Sequence, residues 1–314
     1  MSREESGDAS PSIRGPDRRV HRFDVSATMP HNASRAGFAL AVHLLMSPSN
    51  VNWGVEMRCC LLTAVMLFGL CWNATAEEVP NTAVMPAPAC EKDFYHWGER
   101  HAAVCEAIRQ KPVKLVFIGD SITHMWGGTP PANRQSGDTV WQEFYGQRQA
   151  INMGFGWDRT QQVLWRLEHG EFEGITPDVA VVLIGTNNLT GHAVRENTDA
   201  EIVAGITAVC DGIRKQSPKT RVLLLGVLPR GADPANPLRG RIRQINTELT
   251  KLDGKGGVSY LDWGPKLLDA DGKFLAGVAP DTVHLSEAGY RIWADSMEPT
   301  LVKLMAEAQA ETRK

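Results

Sequence analysis

The chain has 314 residues, of which 43% are hydrophobic and 22% charged, the proportions of an ordinary globular protein. Its formal charge of −3 at neutral pH argues against a basic nucleic-acid-binding surface, so no nucleic-acid partner is expected. The length allows one large domain or two small ones, and the order of the predicted elements favours one.

The first part of the chain lacks the pattern of a folded domain. Residues 1–56 are rich in Ser, Arg, Pro and Asn without a sustained hydrophobic period, so we expect disorder or an upstream extension that the native protein lacks. Met57 opens a weakly positive start to an apolar run at 59–72, and the sequence NATA at 73–76 supplies an A-x-A cleavage site. This order predicts a secretory signal peptide over 57–76, with translation beginning at Met57.

The predicted signal peptide implies a secreted or periplasmic protein. Its apolar run is too short to span a bilayer, so no stable membrane span is expected after processing. The alternative is a long cytoplasmic tail before a membrane anchor. The remaining cysteines, Cys90, Cys105 and Cys210, are odd in number and lack metal-ligand spacing, so the sequence predicts neither a disulfide framework nor a metal site.

Residues 77–90 are rich in Pro and Ala and are predicted to be a flexible lead-in to a domain over 91–314. A helical pattern over 91–110 opens this domain. Five short apolar runs then predict strands, and most of them are continuous, as in strands buried on both faces of a parallel sheet. The runs lie at 114–118, 149–153, 179–184, 221–226 and 258–261, and amphipathic segments predict helices at 160–169, 194–216, 237–252 and 286–308.

The alternation of strands and helices predicts the α/β class, as a three-layer α/β/α sandwich with right-handed crossovers. Ligands of such sheets bind beyond the carboxyl ends of the strands. The residues that directly follow the strands are therefore the first candidates for chemistry.

Ser121 follows the first predicted strand in the sequence GDS at 119–121. A glycine permits a sharp turn out of the strand, and a serine there projects its hydroxyl from the edge of the sheet. Ser121 is therefore a candidate nucleophile, although Asp120 and Ser121 are also good helix caps. The chain contains no G-x-S-x-G sequence, so the nucleophile elbow of the α/β-hydrolases is absent.

Two later segments supply the partners that a nucleophilic serine needs. Asn187 follows the third strand, where its amide can stabilise a turn or donate to an oxyanion. Asp281 precedes His284 by three residues, a spacing at which a carboxylate can hold an imidazole in one tautomer. In this order the residues predict an acyl-transfer site. His124 is a rival base one helical turn after Ser121, but no carboxylate follows it.

These motifs resemble those of the SGNH (GDSL-type) hydrolases, in the branch similar to the catalytic subunits of platelet-activating-factor acetylhydrolase. The resemblance runs from about residue 94 to residue 304. It implies a flavodoxin-like sheet of five parallel strands, no cofactor, and hydrolysis of small acyl esters, often acetyl groups on sugars or lipids. It rests on FIGDSIT at 117–123, NMGFGWDRT at 152–160, VLWRL at 163–167, IGTNN at 184–188, LPR at 228–230 and DTVHL at 281–285.

The resemblance also implies a role for each matching residue. Ser121 would be the nucleophile, and its backbone N–H would be one oxyanion donor. Asn187 would supply a second donor from its side chain. His284 would act as general base and then as general acid, and Asp281 would orient it.

Trp157 departs from the family pattern, because the family has a glycine there that supplies a third, backbone donor. A backbone donor does not require glycine if φ and ψ suit a residue with a Cβ. The indole would either close the pocket around a small acyl group or point away and pack. The neighbouring Asp158 and Arg159 are predicted to form an ion pair that braces the loop.

Five further residues are candidates for lining the substrate pocket. Trp126 would form a wall of the pocket or pack in the interior, and His192 would lie at the rim. Arg230 would contact substrate or form a salt bridge within its loop. Gly154 and Gly156 lie beside the oxyanion loop, but they are only half of a dinucleotide fingerprint, so nucleotide binding is not expected.

The sequence therefore predicts a secreted serine esterase that acts on small acyl esters, acetyl esters foremost, of carbohydrates. The alternatives are a lysophospholipase or thioesterase of the same fold, and a carbohydrate-binding protein with weakened catalysis, which Trp157 would favour. The expected partner is a small-molecule or glycan ester, and no cofactor or metal is expected. The oligomeric state is not indicated by the sequence.

Overall fold

The computed structural model describes residues 79–89, 91–93, 95–192 and 194–312. The predicted signal peptide, the segment that precedes it and Cys90 lie outside these ranges. Within the described ranges, no helix is long and apolar enough to cross a membrane.

Strands and helices alternate through the described domain, and five parallel strands form one sheet in the spatial order β2-β1-β3-β4-β5. The strands are β1 (Leu115–Gly119), β2 (Ala150–Gly154), β3 (Val179–Leu183), β4 (Arg221–Leu225) and β5 (Val258–Leu261). The helices are α1 (Trp97–Gln110), α2 (Ser121–His124), α3 (Asp138–Tyr145), α4 (Thr160–Glu168), α5 (Asp199–Gln216), α6 (Pro237–Leu249) and α7 (Glu287–Thr312). The predicted flavodoxin-like sandwich is confirmed.

β1 and the two strands beside it end at the same level. β1 lies between β2 and β3, and Gly119 is paired with Gly154 on one side and Leu183 on the other. All residues of β1 and β3 are buried, as expected for continuous apolar runs in a parallel sheet. The loops that leave these strands therefore start close together at one edge of the sheet.

Alternate side chains of the strands contact two separate cores. Val116 and Ile118 belong to the first core, to which α1, α4, α5 and α6 also contribute. Leu115 and Phe117 belong to the second core, which α3 and α7 cover. Because side chains alternate along a strand, each buried strand contributes to both cores. The sheet and the helices that cover its two faces thus form three layers.

The prediction of a flexible lead-in over 77–90 is wrong for its described part. Thr82–Val84 forms a short 3₁₀ helix, and Ala83 has no exposed surface. The Ala83 carbonyl accepts a hydrogen bond from Thr160 Oγ1 at 2.7 Å. A Cβ on Gly205 would lie 2.8 Å from the same carbonyl oxygen, so a glycine on α5 makes room for the segment. The lead-in is thus packed onto the domain.

Two helices begin later than their hydrophobic patterns predict. α1 begins at Trp97 rather than at residue 91, and α5 begins at Asp199 rather than at residue 194. Thr198 fixes the start of α5, since its hydroxyl accepts from the Glu201 N–H at 3.2 Å and the Glu201 carboxylate accepts from the Thr198 N–H at 2.8 Å. This capping box stabilises the first turn.

Candidate active site

Ser121 is the first residue of α2, directly beyond the carboxyl end of β1. Asp120 caps this helix, because its Oδ1 accepts from the Ile122 N–H at 2.9 Å. The turn before it requires glycine, since a Cβ on Gly119 would lie 2.4 Å from the carbonyl oxygen of Leu183. Capping is therefore the task of the aspartate, and the serine hydroxyl has a different partner.

That partner is His284, whose Nε2 lies 2.8 Å from Ser121 Oγ. The other ring nitrogen, Nδ1, lies 2.7 Å from Oδ2 of Asp281. An ionised carboxylate only accepts hydrogen bonds, so Nδ1 carries the proton and Nε2 accepts from the serine hydroxyl. The three predicted residues are thus joined in one chain of hydrogen bonds.

The turn at 281–284 holds its own histidine in place. Asp281 Oδ1 accepts from the N–H groups of Val283 at 3.0 Å and His284 at 2.7 Å, and Thr282 adopts a left-handed φ of 63°. Partial burial raises the pKa of Asp281, but the hydrogen bonds from His284 and from the backbone outweigh it and hold the pKa below its usual value. The carboxylate therefore stays ionised beside the imidazole.

His124, the rival base, has a different position. It is 2% exposed, and its Nδ1 accepts from the Gly156 N–H at 3.2 Å. Burial, together with the positive charges of Arg100 and Arg166, lowers the pKa of His124 to about 2. The ring is therefore neutral and forms an edge-to-face pair with the ring of Tyr95.

The amide of Asn187 is held against the loop that follows β2. Asn187 lies in the 3₁₀ turn Asn187–Leu189 after β3, and its Nδ2 donates to the Asp158 carbonyl oxygen at 3.0 Å. This bond leaves the second N–H of the amide for another acceptor. In the described part of the chain, no backbone carbonyl accepts from the N–H of Ser121 or of Trp157.

Trp157 adopts the left-handed conformation, with φ at 64°. This conformation costs about 1–2 kcal/mol for a residue with a Cβ, which explains why glycine suits the position. The indole is half-buried and lies edge-to-face against the exposed His192, with ring centroids 4.8 Å apart. The side chain thus extends towards the loop after β3 and does not pack in either core.

The prediction that Trp126 lines the substrate pocket is wrong, and the packing alternative holds. Its side chain has no exposed surface. The indole lies between α3 and α7, with its centroid 4.3 Å from that of Trp293 and 5.2 Å from that of Tyr290. Trp126, which lies two residues after the end of α2, therefore packs in the second core and joins α2 to it.

The two glycines predicted to line the pocket serve close packing instead. A Cβ on Gly154 would lie 2.2 Å from the backbone nitrogen of His124. A Cβ on Gly156 would lie 2.1 Å from Oδ2 of Asp93. Both glycines are buried, so they allow the loop to approach α2 and the lead-in closely.

Arg230 braces the segment that precedes Asn187 and forms no salt bridge within its own loop. Its Nη1 donates to the Thr186 carbonyl oxygen at 3.0 Å. Burial lowers the pKa of Arg230, while the charges of Asp120 and Asp281 raise it. Burial raises the pKa of Asp120 to about 7, and Arg230 opposes this shift. The guanidinium thus contributes positive charge close to the serine helix.

The predicted ion pair between Asp158 and Arg159 is wrong, because each residue has a different partner. Asp158 Oδ2 accepts from Nε of Arg166 at 2.8 Å. Arg159 donates through Nη2 to the Thr190 carbonyl oxygen at 3.0 Å and lies 3.5 Å from Oε1 of Glu91. Arg159 therefore holds the loop after β3, and Asp158 is anchored in the interior.

The sequence motifs did not mark as functional the residues around Asp158, namely Trp97, Arg166 and Glu171. One signal was available, since Arg166 lies beside Val163 and Leu167 on the buried side of α4. A charged residue at a core position of an amphipathic helix needs a buried partner.

Among the described residues, no group of three or more His, Cys, Asp or Glu side chains could hold a metal ion. Cys105 and Cys210 are free, buried thiols. Burial raises the pKa of both thiols, so neither has the character of a nucleophile.

Comparison with known proteins agrees with this geometry. The family model of the GDSL-like Lipase/Acylhydrolase family matches residues 117–292. Subunit alpha1 of human platelet-activating factor acetylhydrolase IB is 34% identical over 239 residues, which cover 76% of this chain and 96% of that protein. The bovine alpha2 subunit is 32% identical over 216 residues, which cover 68% and 87%.

A solved structure shares the fold. A GDSL-like lipase from Bacteroides thetaiotaomicron superposes with a TM-score of 0.54 at 19% identity, covering 65% of this chain and 97% of that chain. The family match includes Ser121 and His284, and it extends over more than half of the sequence. The chain therefore belongs to the GDSL-like lipase/acylhydrolase family and is an ester hydrolase.

Proposed function

We propose that the protein hydrolyses acetyl esters, with Ser121 as nucleophile, His284 as base and then acid, and Asp281 as the residue that orients the imidazole. The observation that carries this proposal is the 2.8 Å contact between Ser121 Oγ and His284 Nε2, continued by the 2.7 Å contact to Asp281. Neutral imidazole can accept the serine proton while Oγ attacks the ester carbonyl carbon.

The reaction has two halves. In the first, the bond from Oγ to the carbonyl carbon forms, the alcohol leaves with the proton from His284, and an acetyl-enzyme remains on Ser121. In the second, His284 takes a proton from water, the resulting hydroxide attacks the acetyl carbon, and Oγ leaves with that proton. The products are the alcohol and acetate.

We propose that the oxyanion of each tetrahedral intermediate is bound by three donors, the N–H groups of Ser121 and Trp157 and the amide of Asn187. Two observations support this set. The two backbone N–H groups have no backbone acceptor in the described part of the chain. The amide of Asn187 is held beside the residue that directly follows Trp157. Effective donors lie about 2.7–3.1 Å from the oxyanion.

The proposed substrates are acetylated carbohydrates. Trp157 and His192 form an aromatic pair beside the proposed oxyanion site, and an indole offers ring surface against which the apolar face of a sugar can pack. The relatives named as acetylhydrolases support a small acyl group. We also propose export through the signal peptide over 57–76, which mass spectrometry of the amino terminus of exported protein would test.

The experiment compares hydrolysis of acetylated sugars and of chromogenic esters with increasing acyl length by the native enzyme and by Ser121→Ala. We expect acetyl esters to be hydrolysed fastest, and the variant to lose several orders of magnitude in kcat while remaining folded. Ser259→Ala, a half-buried serine on β5, is the matched control and should retain activity.

Three results would contradict the proposal. Residual activity of more than a few per cent in Ser121→Ala would exclude this nucleophile. A preference for long acyl chains would favour the lysophospholipase or thioesterase alternative, and binding of sugars without hydrolysis would favour the carbohydrate-binding one.

A further inference from the structure

Asp158 has contacts that no other residue of the site combines. It is 1% exposed, and its carboxylate accepts from Nε1 of Trp97 at 2.7 Å and from Nε of Arg166 at 2.8 Å. Its carbonyl oxygen accepts from Nδ2 of Asn187 at 3.0 Å. Asp158 is also covalently bonded to Trp157, the residue directly before it in the chain. Asp158 is therefore in direct contact with both of the residues outside α2 that supply proposed oxyanion donors, Trp157 through its N–H and Asn187 through its amide.

The arginine that holds Asp158 is itself held on two sides. Arg166 has no exposed surface, and its Nη1 donates to the carboxylate of Glu171. Its guanidinium lies 4.1 Å from the ring centroid of Phe155, a residue of the same loop. Charged groups buried without water have few alternative partners, so these contacts leave the Asp158 carboxylate little freedom.

We propose that Asp158 is a positioning residue, which aligns the Trp157 N–H and the Asn187 amide on the developing oxyanion because Trp97 and Arg166 clamp its carboxylate. The inference rests on the proposed function. Oxyanion donors act in the transition state, and a displacement of about 1 Å costs about a hundredfold in rate. Misalignment should therefore lower kcat and leave KM nearly unchanged.

The first test is Asp158→Asn, which keeps the shape of the side chain and removes its charge. An amide nitrogen would then face either the Trp97 N–H or the Arg166 Nε–H, and two donors cannot pair. We expect kcat for an acetyl ester to fall about ten- to a hundredfold, with KM changed less than about threefold.

Glu171→Gln is the matched control. Glu171 is also 1% exposed and contacts the same arginine, but it does not adjoin Trp157 or Asn187. The amide oxygen of the glutamine can still accept from Arg166, so the variant should lose stability with the charge while kcat per folded molecule stays within a few-fold of the native value. Trp97→Phe removes one hydrogen bond to the Asp158 carboxylate and no charge, so it should cause a smaller loss of kcat. This variant tests the proposal even if Asp158→Asn does not fold.

A double-mutant cycle separates positioning from general damage. If Asp158 acts through Asn187, the change Asp158→Asn should lower kcat by a smaller factor in an Asn187→Ala enzyme than in the native one. Equal factors in both backgrounds would overturn the inference, and so would equal losses of kcat in Asp158→Asn and Glu171→Gln. These outcomes are distinct from failure of the proposed function, which would leave Ser121→Ala active.

Discussion

Two regions of different chemistry pack against the loops of the site. Buried aromatic rings pack next to α2 on the face of the sheet that α3 and α7 cover, whereas buried charged side chains contact the Trp157 loop on the face that α1 and α4 cover. In the aromatic region, Tyr290 donates to the Ile122 carbonyl oxygen at 2.7 Å and so ties α2 to α7. The aromatic region comprises Phe117, Trp126, Trp141, Tyr145, Tyr290 and Trp293, and the charged region comprises Arg100, Asp158, Arg166 and Glu171.

The two regions stabilise the site in different ways. In the aromatic region, Nε1 of Trp126 and of Trp293 and the hydroxyl of Tyr145 have no hydrogen-bond partner among the described residues, so these rings contribute through burial. In the charged region the contacts are directed hydrogen bonds in which at least one partner is an ion, and such bonds fix the positions of atoms. We therefore expect the first region to determine stability and the second to determine the alignment of the donors as well.

The largest expected effects come from one substitution in each region. Trp126→Ala should lower the free energy of unfolding by about 3–5 kcal/mol, because it leaves a large cavity. Arg166→Met should lower it by a similar amount, about 3–5 kcal/mol, because Asp158 and Glu171 remain buried without a counter-charge.

Urea denaturation near neutral pH measures both losses, and kcat per folded molecule separates the two regions. Arg166→Met should lose kcat, whereas Trp126→Ala should retain it within a few-fold. The same loss of kcat in both variants would contradict the division of roles.

The pH dependence of stability should also separate the regions. Burial raises the pKa of Asp158 from 3.8 to about 6 and that of Glu171 from 4.5 to about 7, and Arg166 opposes both shifts. The native carboxyl groups thus bind protons at higher pH than the unfolded ones. Native stability therefore increases as pH falls from about 7 towards the unfolded values, by at most about 1.4 kcal/mol per pH unit for each group.

Without Arg166 both pKa values rise further, so Arg166→Met should regain part of its lost stability at about pH 5. Trp126→Ala changes no charge, and its deficit relative to the native protein should be the same at both pH values. Urea denaturation at the two pH values checks this. A pH-independent deficit in Arg166→Met would mean that the carboxyl groups are not the source of its instability.

The smallest expected effect concerns Trp157. Trp157→Gly should be more stable than Trp157→Ala by about 1 kcal/mol, because the left-handed φ penalises a Cβ and not a glycine. Both variants keep the backbone N–H, so both should retain most of the acetyl esterase activity and accept longer acyl groups. An alanine variant as stable as the glycine variant would mean that the position carries no strain.

The sheet and the aromatic region follow from patterns that the sequence displays. The five apolar runs predicted the ends of all five strands to within about one residue, and most of these runs are continuous because strands buried on both faces have no polar alternation. The start of α5 could also have been predicted from the sequence, since Thr198 and Glu201 have the spacing of a capping box. The hydrophobic pattern alone extended that helix too far towards the amino terminus.

The charged region could not be predicted in the same way. A charged residue ordinarily indicates an exposed position, and the partners of Asp158 come from α1, α4 and the turn after β3. The backbone conformation of Trp157 could not be predicted either, because its φ of 64° is set by the surrounding loop and not by the residue type. Trp126 could be placed only once α3 and α7 were seen to enclose it.

The most direct test of the account is to trap the acetyl-enzyme. The enzyme is mixed with a chromogenic acetyl ester, quenched in acid before the intermediate hydrolyses, and digested for peptide mass spectrometry. We predict the added mass of one acetyl group on the peptide that contains Ser121, and its absence in Ser121→Ala. An acetyl group on a different residue, or turnover with an unmodified Ser121 peptide at every quench time, would contradict the account.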